Sequence, residues 1–238
     1  MNIAILLSGG SGTRAGLDMP KQYAMAGSQR IIDFSLNTLI NHKEIDGLVV
    51  VCESTYKDTI KDTIRANAIK GSYAKDKPVL FCDPGKTRQL SIYNGLQTIA
   101  AAYPTKDIDL VFIHDAARPN LSAHMVSTLI ETAHCHDGAM PVLPMKDTVY
   151  ISQDGKQVSA LIDRKTLYAG QAPEVFNFNK YLHANKALMP DRILDVNGSS
   201  EPAVLEGMDI ALVEGDEHNY KITTKEDYLR FINELSSK

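Results

Sequence analysis

Short apolar runs alternate with segments of helical periodicity along most of this 238-residue chain. That alternation confines the fold to helices packed over a mainly parallel sheet. Residues 2–7, 47–52, 78–82, 108–114 and 138–143 are brief and rich in Val, Ile, Leu or Phe, and they predict buried strands. Between them Ile92, Leu96 and Ile99 repeat at i, i+4, i+7, and Val126, Leu129, Ile130 and Ala133 at i, i+3, i+4, i+7. Each series predicts a helix with one face on the sheet. A strand at 210–214 and a helix at 225–235, with Tyr228, Ile232 and Leu235 on one face, close the pattern. The expected fold class is α/β, a Rossmann-like mainly parallel sheet flanked by helices. With 44% hydrophobic and 23% charged residues the chain suits one domain spanning 1–238.

The alternation stops at about 146–170. There, 147–156 reads as strand, turn at Asp154-Gly155, strand. A hairpin alone in water is marginal, so this protruding arm predicts packing on a second subunit, a homodimer.

The first strand ends in Ser8-Gly9-Gly10-Ser11-Gly12-Thr13-Arg14-Ala15-Gly16. Glycines at such spacing let backbone N–H groups converge on a phosphate. Gly10-x-Gly12-x-x-Ala15 matches a dinucleotide fingerprint, so a dinucleotide-dependent oxidoreductase is one reading, although Pro20 would break the helix that fingerprint needs. The loop lacks the Gly-Lys-Ser/Thr of a Walker A loop. Arg14 and Lys21, either side of Pro20, suit a triphosphate: like charges 4 Å apart repel by about 4 kcal/mol at an effective dielectric near 20. Cations at that place offset the repulsion. A glycine-rich surface turn, or a nucleotide-binding protein without catalysis, accounts for the glycines but not for these cations.

Gly9-Gly10-Ser11-Gly12-Thr13-Arg14 with Met19-Pro20-Lys21-Gln22-Tyr23 resembles the signature of the 2-C-methyl-D-erythritol 4-phosphate and D-ribitol-5-phosphate cytidylyltransferase family. The resemblance continues through Arg88-x-x-Ser91-x-x-Asn94-Gly95-Leu96, His114-Asp115-Ala116-Ala117-Arg118-Pro119, Lys146-Asp147-Thr148, Gly170-Gln171-x-Pro173 with Phe176, and Asn219-x-Lys221-Ile222-Thr223. It implies transfer of CMP from CTP to a small polyol phosphate, with release of pyrophosphate. The nucleophile is a phosphate monoester with a second pKa of about 6, so no dedicated general base is required.

By this resemblance Arg14, Lys21 and Lys221 are catalytic cations. Ser8 to Thr13 (Ser8, Gly9, Gly10, Ser11, Gly12, Thr13), Gly85, Ser91, Asp115 and Ala116 bind the nucleotide. Arg118, Thr148 and Arg164 bind the acceptor, the last two across the dimer. Asp115, at a strand's carboxyl end, is the expected ligand of Mg²⁺, a hard cation that usually takes one or two carboxylates and keeps waters. His114 reads as a hydrogen-bonded structural residue.

Methylerythritol phosphate is the first-choice acceptor. A pentitol phosphate is the runner-up, because Gly9-Gly10 replaces the more usual Ala-Gly. Pro84 stands where relatives usually have glycine, Ala172 where they have threonine, and Ser199-Ser200-Glu201-Pro202-Ala203 and His218 also depart from the pattern.

Three widely spaced cysteines, Cys52, Cys82 and Cys135, argue against a disulfide framework and for a cytoplasmic location. The start of the chain carries no export pattern, and no apolar run reaches the ~20 residues of a membrane span. His134-Cys135-His136 lacks a second cluster at zinc spacing. The net charge of -4 disfavours nucleic acid. Yet residues 1–30 carry Arg14, Lys21 and Arg30 against Asp18 alone, a local +2 that leaves -6 for the remainder and fits a compact anion site.

Overall fold

Strand β1 (Asn2–Leu7) sends Ala4 and Leu6 into one hydrophobic layer and Ile3 and Ile5 into the other, as a pleated backbone requires. The computed structural model describes residues 1–10, 16–70 and 77–237. A small hairpin, β2 (Met25–Ala26) and β3 (Gln29–Arg30), leads into α1 (Ile31–Asn41). Alternation then runs through β4 (Gly47–Val51), α2 (Lys57–Lys70), β5 (Val79–Cys82), α3 (Arg88–Ala102), β6 (Leu110–Asp115), α4 (Ala123–Ala133) and β7 (Gly138–Pro144). A separate hairpin, β8 (Val149–Ile151) and β9 (Ala160–Ile162), follows. The chain closes through β10 (Tyr168–Gly170), β11 (Glu174–Asn177), α5 (Phe178–Ala187), α6 (Glu201–Leu205), β12 (Ile210–Glu214) and α7 (Lys225–Ser236).

The main sheet has the order β10-β7-β11-β6-β1-β4-β5, with β12 on β7. The parallel pairs β1–β4, β1–β6, β4–β5 and β12–β7 make it mainly parallel, and β10 and β11 run the other way. This agrees with the expected class. The two reversed strands were not expected, because three or four residues are too few to show a period.

Helices α1, α2 and α4 cover one face through Leu36, Ile60 and Val126, and α3, α5 and α6 the other through Leu96, Tyr181 and Ala203. Leu36, Ile60, Val126 and Leu96, each fully buried, contribute about 1.5–3 kcal/mol apiece. Thr87 caps α3 by accepting from the Leu90 N–H at 3.2 Å, and Ser122 caps α4 by accepting from Met125 at 3.1 Å. On α7 the expected Tyr228, Ile232 and Leu235 are only half-buried. Phe231 anchors the helix against Ile31 and Ile222.

The arm differs from the expected tight turn. Val149 pairs with Ile162 and Ile151 with Ala160, so the return strand starts at 160 rather than directly after Gly155. Asp154 and Gly155 do turn the chain: the Asp154 carboxylate accepts the Lys156 and Gln157 N–H groups, and Gly155 has φ 71°. They sit inside a longer loop. Tyr150, Val158 and Leu161 are exposed on this arm.

Candidate active site

All six co-directed strands bring their carboxyl ends to one edge of the sheet, where open α/β sheets hold ligands. A cleft of about 490 Å³ opens there, floored by Leu7, Gly9 and Gly10 after β1 and by Asp115 and Ala117 at the end of β6. Its walls are Lys21 and Gln22, the run from Gly85 to Arg88 with Ser91, and Lys221. Pro20 precedes a 3₁₀ turn, Lys21–Tyr23, in place of the long helix that a dinucleotide fold requires.

Asp115 is the electrostatic centre. Its Oδ1 accepts from Arg88 Nε at 3.0 Å and its Oδ2 from Lys221 Nζ at 2.8 Å. Burial alone would raise its pKa, but Arg88 and Lys221 hold the carboxyl well below the usual range. Arg88 also donates to Ser199 Oγ at 2.8 Å, tying the cleft to the loop before α6. Beneath lies Glu174, whose Oε2 has no partner among the described residues. Burial pushes its pKa up, against the opposing pull of Ser199 and Arg88. His114 is wholly buried, which lowers it to about 4, and its Nε2 meets the Arg118 carbonyl at 3.1 Å. It is the structural histidine expected.

At the other end of the cleft Gly85 donates its N–H to Ser91 Oγ at 3.0 Å. A Cβ on Gly85 would lie 2.6 Å from Leu90 Cγ, and one on Gly9 2.4 Å from Pro84 Cβ, so both glycines are there for close approach.

The sequence model of the family "IspD: 2-C-methyl-D-erythritol 4-phosphate cytidylyltransferase" matches residues 2–233. The chain belongs to this cytidylyltransferase family. It is 36% identical over 235 residues to the chloroplastic 2-C-methyl-D-erythritol 4-phosphate cytidylyltransferase of Oryza sativa subsp. japonica, covering 97% of this chain and 74% of that one. The enzyme of the same name from Geobacillus thermodenitrificans is 31% identical over 228 residues, with 95% and 93% covered. Against the bifunctional enzyme IspD/IspF of Rhodopseudomonas palustris the chain is 32% identical and spans 56% of that protein's length. The crystal structure of the 4-diphosphocytidyl-2C-methyl-D-erythritol synthase from Anaerococcus prevotii superposes with a TM-score of 0.81 at 26% identity, covering 99% and 98% of the two chains.

Of the residues expected in this cytidylyltransferase site, Gly9, Gly10, Lys21, Gly85, Ser91, Asp115 and Lys221 meet at the cleft. Ser8 does not. Its hydroxyl donates to the Val51 carbonyl at 2.9 Å, its N–H does the same, and the side chain is buried, so it has no donor left for a nucleotide. Ala116 is also turned inward: its N–H donates to Leu7 and its side chain is fully buried, leaving Ala117 on the cleft wall. Arg118 is not among the lining residues; its Nη1 donates to the Asn219 carbonyl at 2.6 Å. Thr148 and Arg164 stay on the exposed arm, with Arg164 bonded to the Lys146 carbonyl. Ser11, Gly12, Thr13 and Arg14 lie outside the described residues.

Sequence reasoning gave no role to Arg88, Gln22 or Glu174. Arg88 carried a signal, because a cation at the first residue of a helix opposes the helix dipole and needs a compensating partner. Glu174 carried none.

Among the described residues no group of three or more His, Cys, Asp or Glu could cage a metal. Among the described residues Asp115 has the chemistry of a hard-cation ligand. Each of its oxygens has one nitrogen partner, and a carboxylate has about four lone-pair sites.

Proposed function

We propose that the cleft transfers the cytidylyl group of CTP to the phosphate of 2-C-methyl-D-erythritol 4-phosphate and releases pyrophosphate. The observation that carries this reading is the pairing of Arg88 and Lys221 on Asp115 in one cleft with Lys21 and the glycine loop, in a member of this family. A phosphate oxygen of the acceptor attacks the α-phosphorus of CTP. The bond from that phosphorus to the bridging oxygen breaks, and its electrons leave with pyrophosphate. Two anions must meet, so the chain's contribution is positioning and charge stabilisation. Lys21 places a compact cation on the triphosphate side. Arg88 and Lys221 fix Asp115, and Gly85 with Ser91 presents a close-packed wall for the base.

Mg²⁺ would sit on Asp115 and supply charge neutralisation between the phosphates. The exposed Tyr150, Val158 and Leu161 support a homodimer through the arm, which would carry Thr148 and Arg164 toward a neighbour's cleft. Among the described residues no helix is long and apolar enough to cross a membrane. We place the protein in the cytoplasm on its three dispersed cysteines, each unpaired. The direct test is pyrophosphate release from CTP with methylerythritol phosphate and with D-ribitol 5-phosphate. The expected result is a higher kcat/KM for the first, and a preference for ribitol phosphate would overturn the acceptor assignment.

A further inference from the structure

The Gln22 side chain closes on both ends of the described part of the glycine loop. Its Nε2 lies 2.6 Å from the Ser8 carbonyl oxygen and 2.7 Å from that of Gly10. A primary amide has two protons, so each carbonyl takes one. The residue is only 4% exposed, yet it lines the cleft, which makes these charge-free bonds the satisfaction of a buried polar group.

The consequence follows from peptide geometry. In a trans peptide the C=O and the following N–H point in opposite directions. The Ser8–Gly9 bond is trans, so drawing the Ser8 carbonyl onto Gln22 aims the Gly9 N–H away from the amide. Among the described residues neither the Gly9 nor the Gly10 N–H has a protein acceptor, and both glycines line the cleft. A Cβ on Gly10 would meet nothing within 4 Å, so the space beside it is open.

Gln22 is itself anchored by the 3₁₀ turn that holds Lys21. The Tyr23 N–H donates to the Pro20 carbonyl at 2.9 Å and the Ala24 N–H to Lys21 at 3.1 Å. One three-residue turn therefore carries both the Lys21 cation and the amide that orients the Ser8–Gly9 peptide.

We propose that Gln22 is a positioning residue for the nucleotide phosphates: its amide, clamped on the Ser8 and Gly10 carbonyls, fixes the Ser8–Gly9 peptide so that the Gly9 N–H faces them. This rests on the cleft's being the CTP site. Gln22 touches no reacting atom. It acts through the backbone, which donates to an anion at no desolvation cost beyond that already met in folding.

The test uses the full chain, with Gln22→Met, which keeps the length and removes both protons, and Gln22→Glu, which has only acceptors to offer two carbonyls. CTP affinity is measured by calorimetry without acceptor, and cytidine, which has no phosphate, is measured as a competitive inhibitor. Both variants are expected to bind CTP at least tenfold more weakly, to hold cytidine within twofold of the wild type, and to raise the KM for CTP but not for the acceptor. Unchanged CTP affinity in both variants, or an equal loss for cytidine and CTP, would overturn the proposal. So would loss of the folded state in both, since the amide would then be a determinant of the fold. A wild-type protein that binds cytidine as tightly as CTP would instead sink the phosphate reading of the cleft, whatever the variants do.

Discussion

A methyl group on Gly9 would stand 2.4 Å from Cβ and 2.8 Å from Cγ of Pro84. The two departures from the family's usual pattern, glycine at position 9 and proline at position 84, are thus one steric arrangement. The missing Cβ of Gly9 leaves room for the Pro84 ring. Overpacking of this kind costs about 1–3 kcal/mol, so Gly9→Ala should lower stability by that order. Gly9→Ala combined with Pro84→Gly should recover most of it. A double-mutant cycle by urea denaturation checks the coupling, and additive effects would show that the residues are independent.

The backbone bonds of the 3₁₀ turn do not need the Lys21 side chain, so Lys21→Ala should still fold. Turnover should fall by about two to three orders of magnitude, the usual loss when one transition-state charge partner is removed. Near-normal pyrophosphate release from the variant would take Lys21 out of the mechanism.

Asp115→Asn keeps the shape of the side chain but leaves Arg88 and Lys221 without their shared anion. The rate should drop about a hundredfold or more, and the wild type should lose activity in EDTA and regain it with Mg²⁺. Activity that survives chelation in the wild type would remove the metal from Asp115.

The two buried acid–base groups behind the cleft pull stability in opposite directions with pH. His114 has its folded pKa lowered to about 4, against an ordinary value near 6.5. The unfolded chain therefore binds the proton first as pH falls. Stability from this group is complete above about pH 6.5 and is lost toward pH 4, on the order of 3 kcal/mol. Glu174 is raised, so its contribution falls as pH rises from the ordinary carboxylate range. Urea titrations at pH 5 and 7 should show a smaller acid loss in His114→Gln than in the wild type. In Glu174→Gln the gain over wild type should be larger at pH 7 than at pH 5.

On the arm, Tyr150, Val158 and Leu161 are more than half exposed at 57%, 66% and 65%. Leu161→Asp should therefore shift a dimer toward monomer in sedimentation. Arg164→Ala should raise the acceptor KM more than the CTP KM. The reverse order would move the arm away from the acceptor.

Much of this molecule is local in origin. The apolar runs that form β1, β4, β5, β6 and β7 show their period within a few residues, and the same alternation decides which side chains face which helical layer. The glycine loop and Asp115 were legible for the same reason, since each stands at the end of a readable strand, and Lys21 by its place beside Pro20 in the family motif. Local pattern does not say which distant group a side chain will meet. Arg88 and Lys221 reach Asp115 from 27 and 106 residues away. Glu174 enters the cluster on a reversed strand too short to announce itself, and Ser8 and Ala116 turn inward because neighbouring strand ends at Val51 and Leu7 take their N–H groups. Sequence alone determined the layers of the fold and the edge of the sheet at which chemistry would sit. Only the tertiary structure decided which groups share that edge, because hydrogen bonds and ion pairs depend on positions in space that period and spacing along a chain do not encode.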